Sequence, residues 1–129
     1  MADDRSDYRA ARAYGRVHLE TASKPQLLNE LFLRLLRDCA DARSCVERAD
    51  IAGKARAIHH ALEVLTRLES SLSRDAEPTL VSRLSALYRA IGDRLVRASC
   101  RMEIGPIREI EREIQMIQGA FLELSQRAV

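Results

Sequence analysis

The sequence predicts an all-α protein, an antiparallel four-helix bundle with an additional N-terminal arm or short helix. Three observations carry that reading. Aliphatic residues recur at alternating spacings of three and four through most of the 129-residue chain, which is the period of one helix face. Turn signals interrupt the pattern around residues 50–53, 75–78 and 105–106. Aromatic residues make up only 4% of the chain and Trp is absent, so the core must be aliphatic, whereas sheets favour aromatic and β-branched residues.

The elements follow in order. Residues 1–20 are polar, small and Arg-rich, with Tyr8 and Tyr14 as their main apolar anchors, too few to hold a long helix by themselves; they read as an arm, and residues 21–129 as the bundle. Ser23 stands three residues before Gln26, the spacing of a capping box, with Pro25 in the first turn where its missing N–H costs nothing. The first helix therefore begins near Lys24. It carries Leu27, Leu28, Leu31, Phe32, Leu35, Leu36 and Cys39, two adjacent rows that either bury a wide face or bury one row and offer the other. The second stripe is Ile51, Ala55, Ile58, Leu62, Leu65, Leu68 and Leu72, and the third Leu80, Leu84, Leu87, Ile91, Leu95 and Ala98. The fourth runs Ile107, Ile110, Ile114, Ile117, Phe121 and Leu124, with Pro106 placed to open it. Links this short make each helix antiparallel to the one before. Gly92 and Gly119 sit inside helical patterns, where each costs up to about 1 kcal/mol relative to Ala, and close helix approach is the expected reason.

The same residues weigh against most function classes. Twenty-one basic and 19 acidic residues nearly balance, and they alternate as on a solvated helix face, without the basic block of a nucleic-acid footprint. Cys39, Cys45 and Cys100 are odd in number and lie within helical patterns, as buried free thiols in a reducing cytoplasm would. No secretory signal or membrane-length apolar run is read. His59 and His60 invite a metal reading, and His60 stands three residues before Glu63, but the Glu-x-x-His pairs of a di-metal bundle are missing. No phosphate loop, nucleophile elbow or Cys-x-x-Cys pair is present either. The expectation is a non-enzymatic binding protein without metal or cofactor. Helix-in-groove binding uses the same spacing as core packing, so periodicity alone leaves groove and core open.

A further signal lies in the order of short fragments. Ala13-Tyr14, Val17, Leu19, Thr21-Ala22-Ser23 and Gln26-Leu27 precede the first helix; Asp50, Lys54, Ala61, Val64-Leu65 and Leu68 mark the second; Leu87-Tyr88, Arg94-Leu95-Val96 and Ala98 the third; Glu109-Ile110-Glu111 and Ala120-Phe121 the last. Together these resemble the flagellar secretion chaperones of the FliS family nearly end to end. Lys24-Pro25, Phe32, Arg34, Ser99 and Phe121 depart from that family's usual residues.

The resemblance implies a cytoplasmic export chaperone that binds the C-terminal segment of flagellin in an extended, partly helical form. It would prevent premature polymerisation and deliver its client to the flagellar type III export apparatus, without nucleic acid or membrane insertion, as a monomer or weak homodimer. It further implies flagellin contacts at Leu27, Leu31, Phe32, Ile58, Leu62, Leu65, Tyr88 and Ile91, and contact with an export-gate component through Tyr8 and Tyr14. The competing reading is a generic four-helix adaptor or scaffold unrelated to flagella, with a small helical DNA-binding protein a weaker third.

Overall fold

A computed structural model describes residues 25–72 and 78–127, together with Arg9 and Arg12, whose backbone is helical. Among the described residues there is no strand. Four helices, α1 (Pro25–Glu47), α2 (Ile51–Ser70), α3 (Pro78–Cys100) and α4 (Gly105–Arg127), account for nearly all of them, each roughly 30 to 35 Å long. Tyr8, Tyr14 and the Ser23 capping box lie outside the described residues, but Pro25 does occupy the first helical position.

The helices form a ring in which α1 packs on α2 and α4, and α3 packs on the same two. Cross-helix pairs advance on one helix as they retreat on its neighbour, which makes every adjacent pair antiparallel. On α1 and α2, Asp38 meets His60. On α2 and α3, Lys54 meets Ser99 and Glu69 meets Arg89. Arg94 of α3 reaches Glu113 of α4 at 2.7 Å. Across α1 and α4, Asn29 meets Gln118 at 3.1 Å, and Arg43 holds both carboxylate oxygens of Glu111.

The fourth stripe fills the core as expected: Ile107, Ile110, Ile114, Ile117 and Phe121 are all buried, each such side chain contributing about 1.5 to 3 kcal/mol by leaving water. On α1 the two rows separate. Leu28, Phe32, Leu35 and Cys39 are buried, Leu31 and Leu36 are half-buried, and Leu27 is 52% exposed. Phe32 and Phe121 join α1 to α4 with ring centroids 6.2 Å apart and planes tilted by 51°, a favourable aromatic geometry. The second stripe is rotated from its expected position. Ile51 is 57% exposed and Ala55 is also outside, while Ala61 and Val64 join Ile58, Leu65 and Leu68 inside. Gly53 in the same first turn is buried, so Ile51 is exposed because it faces away from the bundle.

Helix ends explain the sharp corners. Both α1 and α3 close in a Schellman motif, whose left-handed residue is usually glycine, here with Ala49 at φ 56° and Met102 at φ 55°. Ala49 N–H donates to the Val46 carbonyl and Asp50 N–H to that of Cys45; Met102 and Glu103 repeat the pattern on Ser99 and Ala98. Asp50 then caps α2 by accepting from the Gly53 N–H at 3.0 Å. Gly53 is needed because a Cβ there would stand 2.8 Å from Cys45 Sγ.

Of the thiols, Cys39 and Cys45 are buried as expected but Cys100, at the last residue of α3, is exposed. Burial pushes the Cys39 thiol up to about 12, with the nearby Glu111 carboxylate adding to the effect. The histidines have separate partners. His59 pairs with Glu63 one turn on, at 3.1 Å, whereas His60 Nδ1 reaches the buried Asp38 carboxylate across the helix pair at 2.6 Å. Among the described residues no three potential ligands are grouped to hold a metal ion, and no helix is long and apolar enough to cross a membrane.

Candidate functional site

The outer seam between α2 and α3 does not close. On its surface lies a cleft of about 380 Å³ lined by Leu62, Leu65, Thr66, Tyr88, Gly92 and Val96, with Glu69, Arg89 and Asp93 around it. Val96 on its wall is 40% exposed, and Leu62 is half-buried. A second cleft of about 580 Å³, bounded by Leu72, Val81, Ser70 and Ser85, continues the first and shares Thr66 and Glu69 with it. At the junction Arg89 Nη2 stands 2.8 Å from Glu69 Oε1, an ion pair tying the helices together on the solvent side. With Arg89 three-quarters exposed, the pair contributes little to stability.

At the floor of the first cleft Gly92 lets α3 pack closely on α2. A Cβ at that position would lie 3.2 Å from Leu62 Cδ2 and 3.7 Å from Leu65 Cδ1, so the expected close approach is real here. At Gly119 it is not: a Cβ there meets nothing within 4 Å. The upper end of the α2–α3 seam, by contrast, is locked. Lys54 Nζ donates to the Ser99 carbonyl at 2.9 Å and lies 3.3 Å from Met102 Sδ, placing a cation on the C-terminal turn of α3 where the helix dipole favours it.

The residues expected to meet a client divide into three groups. Leu62, Leu65 and Tyr88 come together in the cleft. Phe32, Ile58 and Ile91 are core residues, from 0% to 6% exposed, and offer no surface in this conformation. Leu27 and Leu31 stand on α1, outside the cleft. Leu65 and Tyr88 are themselves 4% and 1% exposed, so they form the floor of the cleft and not its rim, and burial holds the Tyr88 phenol well above its ordinary value and hence protonated. Thr66, Glu69, Arg89 and Val96 are not legible as site residues in the sequence, because each has the composition of an ordinary helix surface. Gly92 did carry a signal, a glycine in a helix that would be better formed with alanine.

A family model described as flagellar protein FliS matches residues 7–128. The chain belongs to the FliS family. It is 28% identical over 122 residues to the flagellar secretion chaperone FliS of Salmonella typhimurium, covering 91% of this chain and 90% of that protein. The Escherichia coli flagellar secretion chaperone FliS is 26% identical over 120 residues, covering 89% and 88%. FliS is a chaperone family and not a family of enzymes. The FliS match takes in Tyr8 and Tyr14 as well as all four helices. Near its start, Arg12 Nη1 lies 3.4 Å from Glu123 Oε1 on α4.

Proposed function

We propose that this FliS-family protein is a cytoplasmic, flagellin-specific export chaperone. It binds the C-terminal segment of flagellin, keeps that segment from polymerising early, and delivers the client to the flagellar type III export apparatus. The observation that carries the reading, beside membership of the family, is the channel made by two adjoining clefts along α2 and α3 that share Thr66 and Glu69 and whose walls include Leu62, Leu72, Val81 and Val96. An elongated apolar segment fits such a channel, whereas a compact ligand would fill only one part of it. Leu62, Leu65 and Tyr88 are the client contacts there, and the exposed Leu27 with Leu31 extends the apolar surface onto α1. Tyr8 and Tyr14 are the contacts with the export gate.

The energetics suit a carrier that must release its cargo. A disordered client gives up about 2 to 5 kcal/mol of the gross contact energy in becoming ordered, which leaves moderate affinity over a large surface and requires no nucleotide for release. Titration calorimetry and circular dichroism with a peptide from the C-terminal region of flagellin of the same organism test the proposal. One-to-one binding with a gain of helix is expected; absence of both heat and helical gain at high micromolar concentration refutes it.

A further inference from the structure

The face between α1 and α4 lies opposite the α2–α3 clefts, because α1 and α3 each pack on α2 and α4. Its middle carries no charge. Leu33 on α1 is 48% exposed and Leu122 on α4 is 36% exposed, one helical turn to either side of the bridge between Asn29 and Gln118. Leu36 and Ala40 are half-buried beside them and Gln115 is exposed. Gly119 weakens α4, yet a Cβ there would meet nothing within 4 Å, so no packing among the described residues calls for glycine. In a chain with 31% charged residues, an uncharged, partly apolar centre inside a charged rim has the anatomy of an interface.

The rim identifies the occupant. Along α1 the exposed Glu30 and Arg37 stand symmetrically about a midpoint beside Leu33, and along α4 the exposed Arg112 and half-buried Glu123 stand symmetrically about a midpoint beside Ile117. The Asn29–Gln118 and Arg43–Glu111 contacts put those two midpoints at about the same height in the bundle. Half a turn about an axis crossing the face at that height lays α1 on α1 and α4 on α4, antiparallel, and sets each rim charge against its opposite. We propose that the α1–α4 face is a self-association surface, on which two copies of this chain join about a two-fold axis that pairs Glu30 of each with the second copy's Arg37. Arg112 faces the second copy's Glu123, which Arg12 also approaches, the two Leu33 side chains meet at the centre, and Gln115 of each copy covers Gly119 of the other. Two helices of roughly 33 Å, set 8 to 10 Å apart, offer about 600 Å² per copy, and about 1,200 Å² in total is the lower limit of a specific interface. The dimer is therefore weak and isologous. It leaves both α2–α3 channels outward, and it does not depend on what those channels carry.

Sedimentation equilibrium of the full chain, without client, from roughly 1 µM to 1 mM covers the affinity of so small a contact. The wild-type protein should show a monomer–dimer equilibrium. Glu30→Arg and Arg37→Glu each bring like charges together twice in a symmetric dimer, so each should weaken association about 10-fold or more. Mixing the two variants makes every Glu30–Arg37 position pair opposite again, and dimer should return as the heterodimer. Gly119→Lys has room in the monomer and replaces the poorer helix former, so it should keep or raise the midpoint of thermal unfolding, followed by circular dichroism, while abolishing the dimer. Leu33→Glu, at a position already half outside, should do the same at an unchanged midpoint. A wild-type protein that stays monomeric throughout the range overturns the proposal. So does a dimer that survives both Gly119→Lys and Leu33→Glu, or a mixture of the charge variants that associates no better than either alone.

Discussion

Replacing Lys54 by Met removes one cation and leaves the rest of the upper α2–α3 corner in place. The Met side chain keeps most of the apolar stem, and the change deletes the donor to the Ser99 carbonyl and the contact with Met102 Sδ. A hydrogen bond from a charged donor contributes about 1.5 to 3 kcal/mol. The Ser99 carbonyl also accepts from the Met102 N–H at 3.1 Å, so it keeps one partner and the desolvation penalty of an orphaned acceptor does not arise. The lower end of the range applies, with a few tenths added for a charge lost from the α3 C-terminal turn, for a total of about 2 kcal/mol. Urea unfolding followed by circular dichroism should show a lower midpoint with an unchanged m-value, and thermal unfolding a fall of roughly 8 °C at about 4 °C per kcal/mol. Lys54→Arg keeps the charge and should recover part of the loss. A change below about 0.5 kcal/mol, the range of surface substitutions, would refute the argument that this cation fastens α2 to the end of α3.

Three other outcomes follow from burial. Ile114, 1% exposed, should lose about 2 to 5 kcal/mol of stability on truncation to Ala, and half-buried Leu31 well under half as much; denaturant unfolding compares them, and equal losses would remove Leu31 from the client surface. Burial raises the Asp38 pKa above its ordinary 3.8 against the lowering effect of His60, so the folded protein holds that proton more tightly than the unfolded chain. Its contribution to stability is therefore full below pH 3.8 and declines as pH rises through the folded-state value. The wild-type advantage over Asp38→Asn in urea unfolding should shrink from about pH 3 to pH 5, a range chosen below the ordinary histidine pKa of about 6.5; an advantage that grows with pH would reverse the assignment. In thiol labelling with an aromatic disulfide reagent, exposed Cys100 should react first and Cys39 only as the protein unfolds, and fast labelling of a Cys100→Ser variant at Cys39 would contradict its burial.

Most of the fold was legible because helical periodicity is a local property. The stripe from Ile107 to Phe121 names its own buried face, since residues three and four apart must share a side of the helix whatever that helix packs against. The three breaks were equally local, for Pro106 and the run into Asp50 bias the backbone without tertiary help. The order of fragments such as Leu87-Tyr88 and Arg94-Leu95 also carried the family, because it is read along the chain.

The sequence alone could not decide which apolar residues are wall and which are filling. Ile51 and Ile114 have equivalent side chains in equally regular stripes, yet one is 57% exposed and the other 1%. What separates them is which side of each helix its neighbours cover, and that is set by contacts distant in the chain, such as Asp38 with His60 and Lys54 with Ser99. The cleft has the same origin. Gly92 is visible as a helix-weakening residue in the sequence, but the close approach it permits is to Leu62 and Leu65 on another helix, and no spacing within α3 determines how far α2 stands from it.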